Sequence, residues 1–152
     1  MSLWDLKAGW YHAARSAPLI RNLLDREIAN LRSLLDEADV HPEFILDIGS
    51  GSGSSWKAFG PGACGIGIDR SRGMLVRAGR RSSGFVSVAA DASNLPFAGN
   101  SMPFISAIGL AEYIKAKDVL LDEIVRVLAP GGMASDHTPV PTSRQLSQEY
   151  AG

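Results

Sequence analysis

The chain has 152 residues, of which 45% are hydrophobic and 20% charged, with a formal net charge of −1. That composition describes one globular domain able to bury its own core. It excludes the strongly basic footprint that nucleic acid or an anionic membrane surface demands. The single cysteine, Cys64, excludes an internal disulfide and fits a reducing, cytoplasmic setting.

The first segment, residues 1–40, reads as helical. Its start, "MSLWDLKAGW", has no basic stretch followed by an apolar one, so no signal peptide is expected. Ile20, Leu23, Leu24, Ile28, Leu31, Leu34 and Leu35 recur at three- and four-residue steps, the stripe of an amphipathic helix bracketed by Pro18 and by Pro42. The core follows over residues 44–138. "EFILDIG" predicts a buried strand ending in glycine, and "ACGIGID" at 63–69 a second strand ending on an acid. "RSRGMLVRAGRR" predicts a helix weakened by Gly73 and Gly79. "FVSVAAD" at 85–91 alternates and again ends on an acid. "MPFISAIGL" predicts a fourth strand, although Pro103 cannot donate to a ladder. "DVLLDEIVRVL" places Leu121, Ile124, Val125 and Leu128 on one helical face, "PGG" at 130–132 stops that helix, and "MASDHTPV" predicts a fifth strand. Residues 139–152 form a polar tail. No apolar run approaches the roughly 20 residues of a membrane span.

Strands alternating with helices imply a doubly wound α/β domain with a mostly parallel sheet. In such sheets ligands bind outside the carboxyl ends of the strands. The loop Gly49–Gly53, Asp69 and Asp91 therefore converge on one crevice. Glycines at 49, 51 and 53 let the backbone approach a ligand closely, and a helix beginning after them would offer N–H groups to an anion. Asp69, 22 residues after Asp47, is placed to accept from two ribose hydroxyls. These features point to an adenosine-containing ligand and leave two: a nicotinamide dinucleotide, in an oxidoreductase, or S-adenosylmethionine, in a methyltransferase. Asp47 favours the second, because an acid at the mouth of the loop repels a pyrophosphate and tolerates a sulfonium and an ammonium.

"ILDIGSGSG" resembles the first motif of the class I S-adenosylmethionine-dependent methyltransferases, and "GIGIDRSRGML" the second. "ADASNLPFAGNSMPFISAIGLAEYI" is similar to the family's segment of an acid, Leu-Pro-Phe and a strand, and "LLDEIVRVLAPGG" to the helix and turn before its fifth strand. The likeness runs over residues 44–133 and lies nearest the type 11-like, small-molecule branch that includes quinone-biosynthesis enzymes. It implies that Gly49, Ser50, Gly51 and Gly53 pack against the methionine part of S-adenosylmethionine, with Asp47 facing its ammonium side. It implies that Asp69 holds the ribose diol, that Arg70 and Met74 flank adenine, and that Asp91 and the Ala92 N–H meet the adenine edge. Ile108 and Gly109 would lie beneath the sulfonium.

The resemblance also has departures. The family usually has Asp where Pro103 stands and a polar residue where Ile108 stands. The family pattern continues past "PGG" through a helix and two more strands, so the expected sheet lacks its last strands, with self-association into a homo-oligomer as one way to close the site. That leaves a non-catalytic cofactor-binding or assembly module as the alternative to an enzyme with a small-molecule acceptor. Methyl transfer itself is an in-line displacement that needs mainly positioning. If a base is required, His137 and Tyr113 are the candidates, each with an ordinary structural reading beside it: an exposed loop histidine, and a packing tyrosine. Trp10 and Tyr11 read as a flap or as simple helix packing. Arg70, Arg72, Arg77, Arg80 and Arg81 read as a solvated helix face, and Cys64 as a core thiol. No residue set has metal-ligand spacing, and no nucleic acid partner is expected.

Overall fold

The computed structural model describes residues 18–80, 84–108, 110 and 117–135, without the side chains of residues 18–21, 23, 24 and 27. Helix α1 spans Pro18–Glu37. It closes in a Schellman turn, Asp39 N–H to Asp36 O (3.1 Å) and Val40 N–H to Leu35 O (2.8 Å), with Asp39 at φ 53° in the place glycine usually takes. Strand β1 (Phe44–Ile48) leads into the glycine loop and a 3₁₀ helix, Ser54–Phe59. Then come β2 (Cys64–Asp69), α2 (Arg72–Ala78), β3 (Phe85–Ala89), β4 (Met102–Ser106), α3 (Lys117–Val127) and β5 (Leu128–Ser135). The five strands are all parallel in the order β3-β2-β1-β4-β5. The doubly wound expectation holds, and the order reverses between β1 and β4, which opens the crevice beside the glycine loop.

Alternation along β1 divides the core. Leu46 and Ile48 face a layer with Ile68, Leu95, Ile105, Ile124 and Val127. Ile45 faces the opposite layer, with Leu31, Leu35, Trp56, Phe85 and Phe104. Asp47, two residues on, shares the Ile45 side, and that places a carboxylate against the 3₁₀ helix.

Several expectations change. The element after the glycine loop is a six-residue 3₁₀ helix, too short to present an α-helical N-terminus to an anion. In α1, Leu31 and Leu35 are buried while Leu34, one step off that face, is 54% exposed. In α3 the buried face is Leu120, Ile124 and Val127; Leu121 and Val125 lie in solvent. Strand β5 begins at Leu128, ahead of "PGG", because Leu128 already pairs with Met102. The next partner pair is Phe104 with Met133, so residues 129–132 bulge from the ladder opposite Pro103. An interrupted ladder is where a strand accommodates a residue with no N–H. Cys64 is exposed rather than core, since it opens β2 at the amino end of the sheet, where its thiol donates to Glu43 O at 3.3 Å. Among the described residues no helix is long and apolar enough to cross a membrane.

Candidate functional site

Gly49, Gly51 and Gly53 all have left-handed backbone, with φ of 71°, 54° and 71°, a conformation that side-chain-bearing residues resist. The loop they shape is bonded to its surroundings. Ser50 N–H donates to Ile68 O (2.9 Å), and Gly53 N–H to Ser50 O (2.9 Å). Gly51 N–H donates to Asp69 Oδ2 at 3.0 Å.

Asp69 ends β2 half-buried. Its Oδ1 also accepts from Ser71 N–H at 2.8 Å. With one donor on each oxygen, the carboxylate keeps lone pairs for further donors. Ser71 caps α2 by accepting from Met74 N–H, and Met74 is buried in the first turn of that helix. Ala90 N–H donates to Asp69 O (3.2 Å), so the chain leaving β3 is tied to the end of β2. Asp91 follows in a turn, where its Oδ1 accepts from Ser93 N–H (2.9 Å) and the Ser93 hydroxyl (2.7 Å), and Arg70 stands 3.7 Å from its Oδ2. The two bonds from Ser93 hold the Asp91 carboxyl below its ordinary range, and Arg70 adds to the effect. Ala92 is 9% exposed and packs into the core.

Asp47 is 2% exposed. Its Oδ2 accepts from the Ser55 hydroxyl (2.8 Å) and from Trp56 Nε1 (2.9 Å). Burial nevertheless pushes its pKa up to about 6; the bonds from Ser55 and Trp56 offset part of that, and the nearby charge of Asp69 adds to it. Ser106, its register partner in β4, is close enough to draw the pKa down, yet among the described residues its hydroxyl reaches hydrogen-bonding geometry with no group. Ser50 Oγ is likewise buried without a partner among the described residues.

Ile108 is half-buried against the α1-side layer. The residue that reaches the loop from beyond β4 is Leu110, whose Cδ1 lies 2.7 Å from where a Cβ on Gly49 would stand. Gly109, Tyr113 and His137 lie outside the described residues, as do Trp10 and Tyr11. Sequence reasoning missed Ser55, Trp56, Ser106 and Leu110. It also missed a bracket under the Asp91 loop: Glu123 accepts from Leu95 N–H (2.6 Å), while Arg126 donates to Leu95 O (3.0 Å), Phe97 O (2.9 Å) and Glu123 (2.6 Å). The three-residue spacing of Glu123 and Arg126 on a helix was the available signal. A cavity of about 500 Å³ runs from Gly53 and Trp56 to the amino ends of β2 and β3, near Cys64. Asp47, Asp69 and Asp91 are not among the described residues that line it.

Residues 46–135 match the family described as a methyltransferase domain. The chain belongs to that family. It is 34% identical over 126 residues to demethylmenaquinone methyltransferase of Paenarthrobacter aurescens, an alignment covering 78% of this chain and 49% of that protein. It is 33% identical over 118 residues to trans-aconitate 2-methyltransferase of Methylobacterium nodulans, covering 73% and 45%. The chain thus spans about half the length of these curated relatives. An S-adenosylmethionine-dependent methyltransferase of Thermotoga maritima superposes with a TM-score of 0.71 at 23% identity, over 89% of this chain and 61% of that one. The Thermotoga maritima protein is named as S-adenosylmethionine-dependent. The residues of the crevice fit that cofactor in kind: a left-handed glycine loop, an Asp69 carboxylate with acceptor capacity left, and Asp91 in the turn that follows β3.

Proposed function

We propose that this chain catalyses methyl transfer from S-adenosylmethionine to a small-molecule acceptor. The observation that carries the reading is the state of the glycine loop. Its N–H groups at Ser50, Gly51 and Gly53 already have acceptors within the protein, and a buried carboxylate, Asp47, stands at its base. A pyrophosphate needs free donors and tolerates no such acid, which argues against a nicotinamide dinucleotide. A ligand bearing a sulfonium and an ammonium suits the same surroundings.

In this reading Asp69 accepts from the ribose diol, Met74 and Arg70 flank the adenine, and the Asp91–Ala92 turn meets its edge. Gly49 to Gly53 pack along the methionine part, and Asp47 acts on its ammonium side from beneath the loop. The cofactor supplies a methyl group already activated by positive sulfur. The protein's contribution is then orientation of the acceptor, an effect worth up to roughly 7–11 kcal/mol in well-aligned systems. A base is needed only where the acceptor must lose a proton, and His137 and Tyr113 are the proposed candidates. The names of the relatives supply acceptor classes to try, a quinone precursor and a tricarboxylate.

Titration with S-adenosylhomocysteine by calorimetry, with NAD as the control, tests the cofactor site. Saturable binding of the first and none of the second is expected. Transfer of labelled methyl from S-adenosylmethionine to phenolic and carboxylate acceptors tests the reaction. Binding without transfer to any acceptor favours a cofactor-binding module, and binding of NAD in preference overturns the reading.

A further inference from the structure

The motif acid Asp47 does not open onto the crevice; its carboxylate is turned into the layer beneath, where an indole meets it. We infer that Trp56 is a positioning residue for the cofactor loop, fixing both of its ends at once through Asp47 and Gly53. The inference rests on reading that loop as the S-adenosylmethionine site.

Trp56 is 4% exposed. Its Nε1 donates to Asp47 Oδ2, and Asp47 is two residues before the loop's first glycine. Its six-membered ring lies against Gly53, the last glycine: a Cβ there would stand 2.8 Å from Cε3. One side chain therefore spans the loop from its entry to its exit. The ring is itself held on other sides. It stacks on Phe85 with centroids 4.5 Å apart and planes 9° off parallel. It also occupies space above Gly67 that a side chain at that position would fill. Gly67 is the register partner of Asp47 in β2, so the missing side chain there gives the indole its way to the carboxylate.

A tryptophan chosen for packing alone would not need this alignment. Its N–H could meet a backbone carbonyl, the usual partner of a buried indole. Here it meets a carboxylate that burial makes costly to keep ionised. Ser55, the preceding residue of the 3₁₀ helix, donates to the same oxygen. The short helix is thus clamped onto β1 by consecutive residues, and the glycine loop is the segment closed by that clamp.

The test is a double-mutant cycle on S-adenosylhomocysteine affinity, measured by calorimetry with thermal melts alongside. Trp56→Phe keeps a stacking ring and removes the donor; Asp47→Asn keeps the shape and removes the charge. Each single variant is expected to weaken binding about tenfold, in the range of a lost hydrogen bond to a charged partner. The double variant is expected to be no weaker than the worse single, because the two residues act as one unit. Additive losses, or a Trp56→Phe protein that binds as the wild type does, overturn the inference. Should Trp56→Phe fail to fold, Ser55→Ala in the Asp47→Asn background replaces it, with the same non-additivity expected and additivity again overturning the clamp. A wild-type protein that binds no S-adenosylhomocysteine removes the site reading itself, and is told apart by that control.

Discussion

Gly51 N–H donates to Asp69 Oδ2 across 3.0 Å, joining the loop that follows β1 to the acid that ends β2. One carboxylate thus does two things: it fixes the loop and keeps acceptor capacity toward the crevice. The variants Asp69→Asn and Asp69→Ala separate these. Asn retains an oxygen for Gly51 and loses the charge, and it is expected to weaken S-adenosylhomocysteine binding by about 10-fold. Ala removes both acceptors, and binding is expected to fall by about 100-fold or more. Calorimetric dissociation constants check the order; equal affinity in all three proteins would remove Asp69 from the site.

Asp47 carries a stability cost that depends on pH. Its carboxyl rises from 3.8 to about 6 on folding, so the folded chain holds the proton more tightly than the unfolded one. Its effect is absent below about pH 3, where both states are protonated. Stability falls as pH rises from about 4 to 6, and the loss is complete above that. The shift corresponds to at most about 3 kcal/mol. Asp47→Asn is expected to recover about 1–2 kcal/mol of that at pH 8, since its own amide N–H groups still need partners. Urea titrations at pH 8 and pH 3 check this: the advantage of Asn at pH 8 should vanish at pH 3. A more stable protein with weaker cofactor binding is the trade expected of a strained site.

The first three strands were readable because β1, β2 and β3 are short apolar runs punctuated by glycine and acids. Gly49, Gly51, Asp69 and Asp91 followed from them, since a parallel sheet gathers the carboxyl ends of its strands. Trp56 was not readable. Its partner Asp47 is 9 positions away, and the slot it fills is made by glycines on two other segments. The buried face of α3 was misjudged by one position because Leu120, Leu121, Ile124, Val125, Val127 and Leu128 offer two apolar stripes. Packing against the layer that holds Leu46, Ile68 and Ile105 chooses Leu120, Ile124 and Val127. The early start of β5 depended on Met102, again a contact between distant segments.

Glu123 and Arg126 hold the loop that carries Asp91 and Ala92. The bonds from Arg126 and from Leu95 N–H lower the Glu123 carboxyl from 4.5 to about 2. Folding therefore favours the ionised form, and the stabilisation is present above pH 4.5 and lost as pH falls from there toward 2. Glu123→Gln is expected to lower the melting temperature at pH 7 by about 3–6 °C, with the difference from wild type shrinking steadily below pH 4. It should also weaken S-adenosylhomocysteine binding several-fold, because the Asp91 turn loses its bracket. Melts across pH 2 to 7 check the first, and a difference that stays constant over that range would contradict the assignment.

Gly67 lies under both Trp56 and Ser50: a Cβ there would overlap Trp56 Cζ2 and stand 2.8 Å from Ser50 Oγ. Its backbone is that of a regular strand, so Gly67→Ala brings a packing conflict without a backbone one. Overpacking of this kind costs about 1–3 kcal/mol. Part of the conflict is with the far edge of the indole, which a phenyl ring does not reach. Gly67→Ala is therefore expected to cost less in a Trp56→Phe background than in the wild type, a coupling of about 0.5–1 kcal/mol between contacting residues. Gly60→Ala is the contrasting control: no atom lies within 4 Å of its Cβ position, and its cost comes from φ of 86° alone, so it should be the same in both backgrounds. Equal costs for Gly67→Ala with and without the indole would mean that Ser50 and the loop, rather than Trp56, set the space above β2.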